Sequence, residues 1–555
     1  MAGVISYLFF TSHYPLFTDH LTLMKKIFYI TTPLYYVNAA PHIGHSYTEV
    51  AADCLARHYR LKGEPVFLLT GTDEHGQKVA QAAAAAGKPP QAFVDEVVRH
   101  FKLLWTKLGV QYDYFIRTTD PAHERAVQAI LVRLRDAGKL VRASYQGWYC
   151  TPDETFWTEA ELAASPSTGG HPLCPSCQRP LDPVTEDGWH LPLEADRRWL
   201  HGFVKAHPTF IQPTSRYNEL MSVLEQPLPE SLCITRPKSR VGWGIPVPFD
   251  PEHVVYVWID ALLNYITAAG YPDDPKRFAT LWPADVHFIG KDILRHHALY
   301  WPILLHALGL PDEAMPRKIM AHGWWKIGEQ KMSKSLGNIV NPIVVIDQVL
   351  KDQPYAAGIY RYFLLREVPF GQDGSFSEEA LFTRLDADLA NDLGNLVNRA
   401  LSMIERYCGG TIPQPGPVGC AVEDQPLQQA ALGVATRVDA AMARIEFSNA
   451  LEAIMDVVSQ ANRYIEVSAP WKLAKQPDHI KRLHTVLFVL VDVIRVTAIN
   501  LEPFMPAIAA AIWQQLGCGE TPRRLQDAAR WGQLTPGRAI GAHPVLFPRS
   551  QEVVR

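Results

Sequence analysis

The chain has 555 residues, of which 47% are hydrophobic and 20% charged, with 53 Lys and Arg against 57 Asp and Glu. That usage excludes a disordered chain, and the length is too great for one core, so two to four domains are expected. The net charge of −4 also excludes a protein whose whole surface binds nucleic acid, while leaving room for a local basic groove.

The first 23 residues, MAGVISYLFFTSHYPLFTDHLTL, are apolar and aromatic but lack the Lys or Arg of a secretory leader. Met24 stands directly before KKIFYITTP, so it is expected to be the natural start, with residues 1–23 a dispensable extension. KIFYITTP (26–33) and PVFLLTG (65–71) are short β-rich runs bounded by Pro or Gly, and SYTEVAADCLARHYRLKG between them has helical spacing with Gly63 as its C-terminal stop. A strand–helix–strand unit of this kind predicts a parallel sheet with right-handed crossovers.

The pattern pauses after about residue 140, and residues 150–190 form a Cys-, Pro-, Gly- and Ser-rich stretch that reads as a small inserted module. VVYVWID (254–260) and DVHFIG (285–290) then read as strands that resume the sheet. From residue 377 the period is helical: SEEALFTRLDADLANDLGNLVNRALSMIERY, a Gly/Pro-rich break at 409–419, then 425–470 and 478–517, punctuated by Pro470, Pro503 and Pro506. No uninterrupted apolar run reaches the ~18 residues of a membrane span. The eight cysteines, Cys54, Cys150, Cys174, Cys177, Cys233, Cys408, Cys420 and Cys518, are spread too thinly for a disulfide scaffold, which suggests a reducing, cytoplasmic setting.

Two segments carry chemistry. PHIGHSYTEV follows the first strand, so His42 and His45 flank Gly44 at a helix N-terminus, where backbone N–H groups and the helix dipole favour phosphate. KMSKSLGN (331–338) supplies Lys331 and Lys334 on a small polar loop ending in Gly337 and Asn338, which tolerate left-handed backbone. Each alone reads as ordinary loop residues or a solvated charged turn. In this order, 289 residues apart, they resemble the paired signatures of class I aminoacyl-tRNA synthetases.

YITTPLYYVNAAPHIGH, GTDEHGQK (71–78), VWIDALLNY (257–265), HFIGKDILRHHALYWP (287–302) and HGWWKIGEQKMSKSLGN (322–338) narrow the resemblance to the methionyl-tRNA synthetases, from Lys25 onward. Leucyl, isoleucyl and valyl enzymes carry a large editing domain, for which the ~110 residues of 141–250 are too few. Cysteinyl-type or other class I synthetases, a nucleotidyltransferase with the same histidine turn, and a non-enzymatic transfer-RNA-binding module are the rivals; the intact histidines and lysines disfavour the last.

The resemblance implies an α/β fold: a doubly wound parallel sheet of Rossmann type, its halves at 24–140 and 251–320 split by an insertion at 141–250 with a zinc knuckle. A loop and stem-contact region at 321–385 and an α-helical anticodon-binding domain at 386–555 follow. It implies that the chain activates methionine with ATP and Mg²⁺ to methionyl-adenylate, then charges tRNA(Met). His42, Gly44, His45, Gly290, Asp292, Lys331, Ser333 and Lys334 would hold ATP, with His42, His45, Lys331, Lys334 and Arg236 catalytic. Leu34, Tyr36, Asp73, Trp258, Ala261, Tyr265, His297 and Trp301 would line the methionine pocket, with Asp73 on the ammonium.

Cys150-Thr-Pro-Asp153 and Cys174-Pro-Ser-Cys177 read as two knuckles of a structural zinc site, with Asp153 where a fourth thiol would stand and His171 the competing ligand. In the helical domain the family reads the CAU anticodon with residues matching Asn395, Arg399 and Trp471, suited to base edges and stacking. Family members that dimerise append a further C-terminal domain, so a monomer is expected.

Overall fold

A computed structural model describes residues 27–548 apart from 160, 164, 227–228, 329, 332–338, 417–423, 520 and 522. The proposed extension at 1–23 and the loop residues Ser333 and Lys334 lie outside the described residues.

Strand β1 (Phe28–Thr31) pairs in parallel with Val286–Gly290 on one side and with β3 (Val66–Asp73) on the other. Beyond β3 lie the short β2 (Tyr35–Tyr36) and β4 (Tyr114–Arg117), while Ile319–His322 extends the opposite side. Helix α1 (Ile43–Leu61) follows β2, and Gly63, at φ 86°, succeeds its last turn. Both faces of the sheet are covered, so neighbouring residues serve different cores. Ile30, Leu68 and Phe288 pack on the α1 side; Tyr29, Leu69 and Ile289 pack on the other.

Two expectations are corrected. The segment at 254–260 is not a strand of this sheet: Asp250–Val255 belongs to a separate three-stranded antiparallel sheet, and Val257–Thr267 is a helix. An apolar run buried on all sides carries no period that separates strand from helix. The main sheet is also not drawn from 24–140 and 251–320 alone, because the strand Ile211–Gln212, within 141–250, pairs with Ile319–Met320 and forms its edge. The rest of the insertion is built on an antiparallel sheet of Val141–Cys150, Thr155–Trp157, Asp182–Pro192 and Ser231–Cys233.

The C-terminal third is helical as expected, with Asn395–Cys408, Asp424–Ala443, Phe447–Ser468, Ile480–Leu501 and Pro506–Gln515 around one core. That core runs without interruption into the α1 face of the sheet, so packing shows no break at residue 386. The stretch Pro477–Leu501 is long and apolar enough to cross a membrane, but 94% of its most apolar window is buried in this bundle. It is the central helix of the domain, contacted by the helices around it.

Candidate active site

A cavity of about 780 Å³ opens where the strands end, between β2, the α1 N-terminus, the helix Val257–Thr267 and the segment 290–297. This is where an open parallel sheet binds ligands. The polar end is made by α1. His42 is its N-cap: its Nδ1 accepts from Gly44 N–H at 3.1 Å, and His45 Nδ1 accepts from His42 N–H at 3.0 Å. A ring nitrogen that accepts from an amide carries no proton, so in the neutral rings each proton sits on Nε2. The two rings stack at 3.9 Å and line the cavity. The arrangement thus combines a helix N-terminus with two imidazole donors, which suits an anion.

Gly290 and Asp292 lie opposite, after the strand Val286–Gly290. Asp292 Oδ1 accepts from Trp324 Nε1 at 3.1 Å, and a Cβ on Gly290 would meet that oxygen at 2.6 Å. Only glycine allows this carboxylate to fold over the strand end. Lys331 joins a short antiparallel pair through Lys326, which brings the root of the lysine loop to the Trp324–Trp325 wall of the cavity.

The apolar end is aromatic. Leu34, Tyr36, Trp258, Ala261, Tyr265 and His297 all line it. His297 Nδ1 meets the carbonyl of Ile293 at 3.0 Å, and its Nε2 meets Tyr265 Oη at 2.8 Å. Since a carbonyl only accepts, Nδ1 donates and Nε2 takes the tyrosine proton. Burial holds the ring neutral, with its pKa lowered to about 4. Trp301 does not reach the cavity; fully buried, it packs edge-on against Tyr265 at 5.7 Å and so backs the wall.

At the end of β3, Asp73 lines the cavity with Oδ1 buried and without a hydrogen-bond partner among the described residues. Burial, followed by the nearby Asp260, Glu154 and Glu74, pushes its carboxyl well above the usual range. An unsatisfied buried carboxylate is costly, and an incoming cation would relieve it.

Arg236 does not line the cavity, which corrects its expected catalytic contact. Its guanidinium pairs with Glu186 at 2.6 and 2.9 Å and stacks over Tyr149 at 4.1 Å, inside the inserted sheet. Tyr149 in turn donates to Glu154. Through Tyr149, Arg236 therefore braces the loop that carries Glu154.

The structure also brings in residues that the sequence reading passed over. His296 stacks flat on Trp258 at 3.7 Å, with Nδ1 buried and without a hydrogen-bond partner among the described residues. Glu154 accepts from Tyr36 Oη at 3.2 Å and from Lys78 N–H at 2.9 Å. The wide, π-helical turn at His296–Tyr300 is why both adjacent histidines line the cavity.

At the knuckle, Cys150, Asp153, Cys174 and Cys177 have ligand atoms within 4.8 Å of one another. Asp153 Oδ2 lies 3.2 Å from Cys174 Sγ and 3.5 Å from Cys150 Sγ. Three thiols and a carboxylate are a donor set suited to zinc. His171 is not part of this group; its Nδ1 lies 2.9 Å from the Leu181 carbonyl, while Asp153 stands with the three thiols. Far from the cavity, Arg399 pairs with Glu466 at 2.6 Å and its guanidinium lies 6.0 Å from the Trp471 ring. Asn395 stands one turn earlier on the same helix face.

Residues 28–401 match the family described as tRNA synthetases class I (M), and residues 431–535 match the anticodon-binding domain of tRNA ligase. The methionine–tRNA ligase of Caldanaerobacter subterraneus subsp. tengcongensis is 46% identical over 95% of this chain and 79% of its own length. That of Thermotoga maritima is 42% identical over 94% of this chain and 80% of its own. Among solved structures, Mycobacterium tuberculosis methionyl-tRNA synthetase in complex with methionyl-adenylate superposes with a TM-score of 0.88 at 41% identity, covering 94% of this chain and 100% of that one. With the divided sheet, the histidine turn and the helical domain in place, the chain belongs to the class I tRNA synthetases of the methionine type.

Proposed function

We propose that the chain is a methionine–tRNA ligase that forms methionyl-adenylate in the cavity between Asp73 and the histidine turn. The observation that carries this reading is one cavity with an anion-binding helix end, an orphaned carboxylate and an aromatic slot side by side. Methionine's ammonium would sit on Asp73, and its unbranched, polarizable thioether against Tyr36, Trp258, Ala261, Tyr265 and His297. His297 serves by staying neutral, which keeps the slot uncharged across the physiological range.

The carboxylate of methionine is already a nucleophile, so its attack on the α-phosphorus of ATP needs no general base. The new bond joins carboxylate oxygen to phosphorus, and pyrophosphate leaves with the electron pair. What the protein must supply is alignment of two anions and neutralisation of charge growing on the phosphates. His42 and His45 donate through Nε2–H, Lys331 and Lys334 bring positive charge, and Mg²⁺ arriving with ATP adds more. Gly290 and Asp292 would receive the adenosine ribose. In the second step a terminal ribose hydroxyl of tRNA(Met) takes the methionyl group and AMP leaves.

Asn395, Arg399 and Trp471 are our candidates for reading the CAU anticodon. Zinc would be held by Cys150, Asp153, Cys174 and Cys177, where it supplies a cross-link and no chemistry.

Lys334→Ala tests the loop. The rate of adenylate formation is expected to fall by ~10²–10³ while methionine affinity stays nearly unchanged. Pre-steady-state adenylate formation and equilibrium methionine binding measure the two separately, and an unaltered rate would remove the lysine from the mechanism.

A further inference from the structure

Three buried side chains beside the cavity have no part in the reading above. Asp260, on the helix Val257–Thr267, is 1% exposed and lies between two histidines. His75 Nδ1 is 2.7 Å from Asp260 Oδ2, and His123 Nε2 is 2.8 Å from Oδ1. An ionised carboxylate only accepts, so both rings present N–H to it. The far nitrogen of His123, Nδ1, is 2.8 Å from Thr267 Oγ1 at the other end of the same helix.

The three groups join three elements. His75 stands two residues beyond Asp73, in the segment that leaves β3, and His123 belongs to the helix Pro121–Asp136. Asp260 sits on the helix that presents Trp258, Ala261 and Tyr265 to the cavity. The backbone at His75 is itself fixed, because its carbonyl accepts from Tyr36 Oη at 3.1 Å. Gly76 comes next at φ 101°, where a Cβ would meet Tyr36 Oη at 2.5 Å.

We infer that His75, Asp260 and His123 are positioning residues for methionine: a buried clamp that holds the expected ammonium carboxylate, Asp73, at a fixed distance from the side-chain slot. The inference rests on the proposed assignment of Asp73 and of the slot. Methionine must touch both at once, so binding depends on their spacing, whereas the histidine turn proposed for ATP stands on a separate element, α1. Asp260 is a neighbour that raises Asp73, and the histidines beside Asp260 offset part of its negative charge. Burial works against ionisation of Asp260, yet His75 and His123 bring its pKa below the ordinary value.

The test is ATP–pyrophosphate exchange by the full chain, with methionine and ATP varied separately, for His75→Gln and His123→Gln. We expect KM for methionine to rise about tenfold or more in each, with kcat and KM for ATP within about twofold of the parent. A KM for methionine within twofold of the parent, or a parallel loss in every parameter as from general destabilisation, would overturn the clamp. Asp73→Ala run beside them separates this from the underlying reading: if that variant keeps parental KM for methionine, the ammonium assignment itself fails. If neither histidine variant folds, Thr267→Val decides, since it removes only the outer partner of His123. A selective rise of a few fold in KM for methionine is then expected, and no rise would reject the proposal.

Discussion

Glu49 shows how much a single residue of α1 can hold. Its carboxyl is fully buried behind the histidine turn, accepting from Tyr35 Oη at 2.9 Å and Thr70 Oγ1 at 2.8 Å through Oε2, while Oε1 has no hydrogen-bond partner among the described residues. Burial outweighs those hydrogen bonds and pushes its pKa up to about 8 from an ordinary 4.5. Between those two values the unfolded chain has released a proton that the folded chain still holds, so stability falls as pH rises across that window. Glu49→Gln removes the titration. Urea unfolding at about pH 5 and pH 8 should show a smaller loss in the variant than in the parent; equal losses would mean that Glu49 ionises normally in the fold. His42 and His45 were legible in the sequence because a strand, a glycine turn and a helix start leave little choice of geometry. Arg236 was not, since nothing in ITRPKSR reveals that Glu186, fifty residues earlier, takes the guanidinium.

At the scale of elements, the inserted sheet and the cavity are one mechanical unit. The backbone carbonyl of Asp153 accepts from Trp258 Nε1 at 3.3 Å, and the next residue, Glu154, accepts from Tyr36. The cysteine knuckle therefore ends in two wall residues of the proposed methionine slot. Metal analysis of protein purified without chelator should find about one zinc per chain. Chelation should lower the thermal midpoint, and Cys177→Ala should remove both the metal and that sensitivity. Protein that is metal-free as isolated and indifferent to chelator would contradict the site. Sequence spacing pointed to the three cysteines but left Asp153 and His171 undecided, because which of them stands beside the thiols depends on how the short pairing of Ser167–Thr168 with His171–Pro172 is placed. The start of the helix at 257–267, which falls within the run 254–260 expected as a strand, escaped the sequence for a related reason. Its burial on all sides removes the polar face that would have shown a 3.6-residue period.

Over the whole molecule, α1 is the member that joins chemistry to the helical domain. Its N-terminus carries the histidine turn, and its far end meets that domain through His58 and Asp439 at 2.9 Å. Midway, Asp53 pairs with Arg361 at 2.7 Å, and Arg361 donates to the carbonyls of Phe504 and Pro503 at 2.9 and 3.0 Å. This guanidinium is 1% exposed, so its neighbours depend on it. Arg361→Met leaves Asp53 with Arg57 and the Gln111 N–H and strips the carbonyls of Leu108, Pro503 and Phe504 of a donor, and should cost roughly 3–5 kcal/mol in urea unfolding. A loss under about 1 kcal/mol would show that water replaces the cation easily. The division into catalytic and helical parts was visible as a change of texture near residue 377. Their shared core was not, because side chains that meet across several hundred residues leave no local pattern.

The central claim is selectivity for methionine in adenylate formation. It is tested most directly by ATP–pyrophosphate exchange with each of the twenty amino acids in turn. Exchange supported by methionine far above every other amino acid is the predicted result. Exchange driven by a different amino acid, or by none, would contradict it.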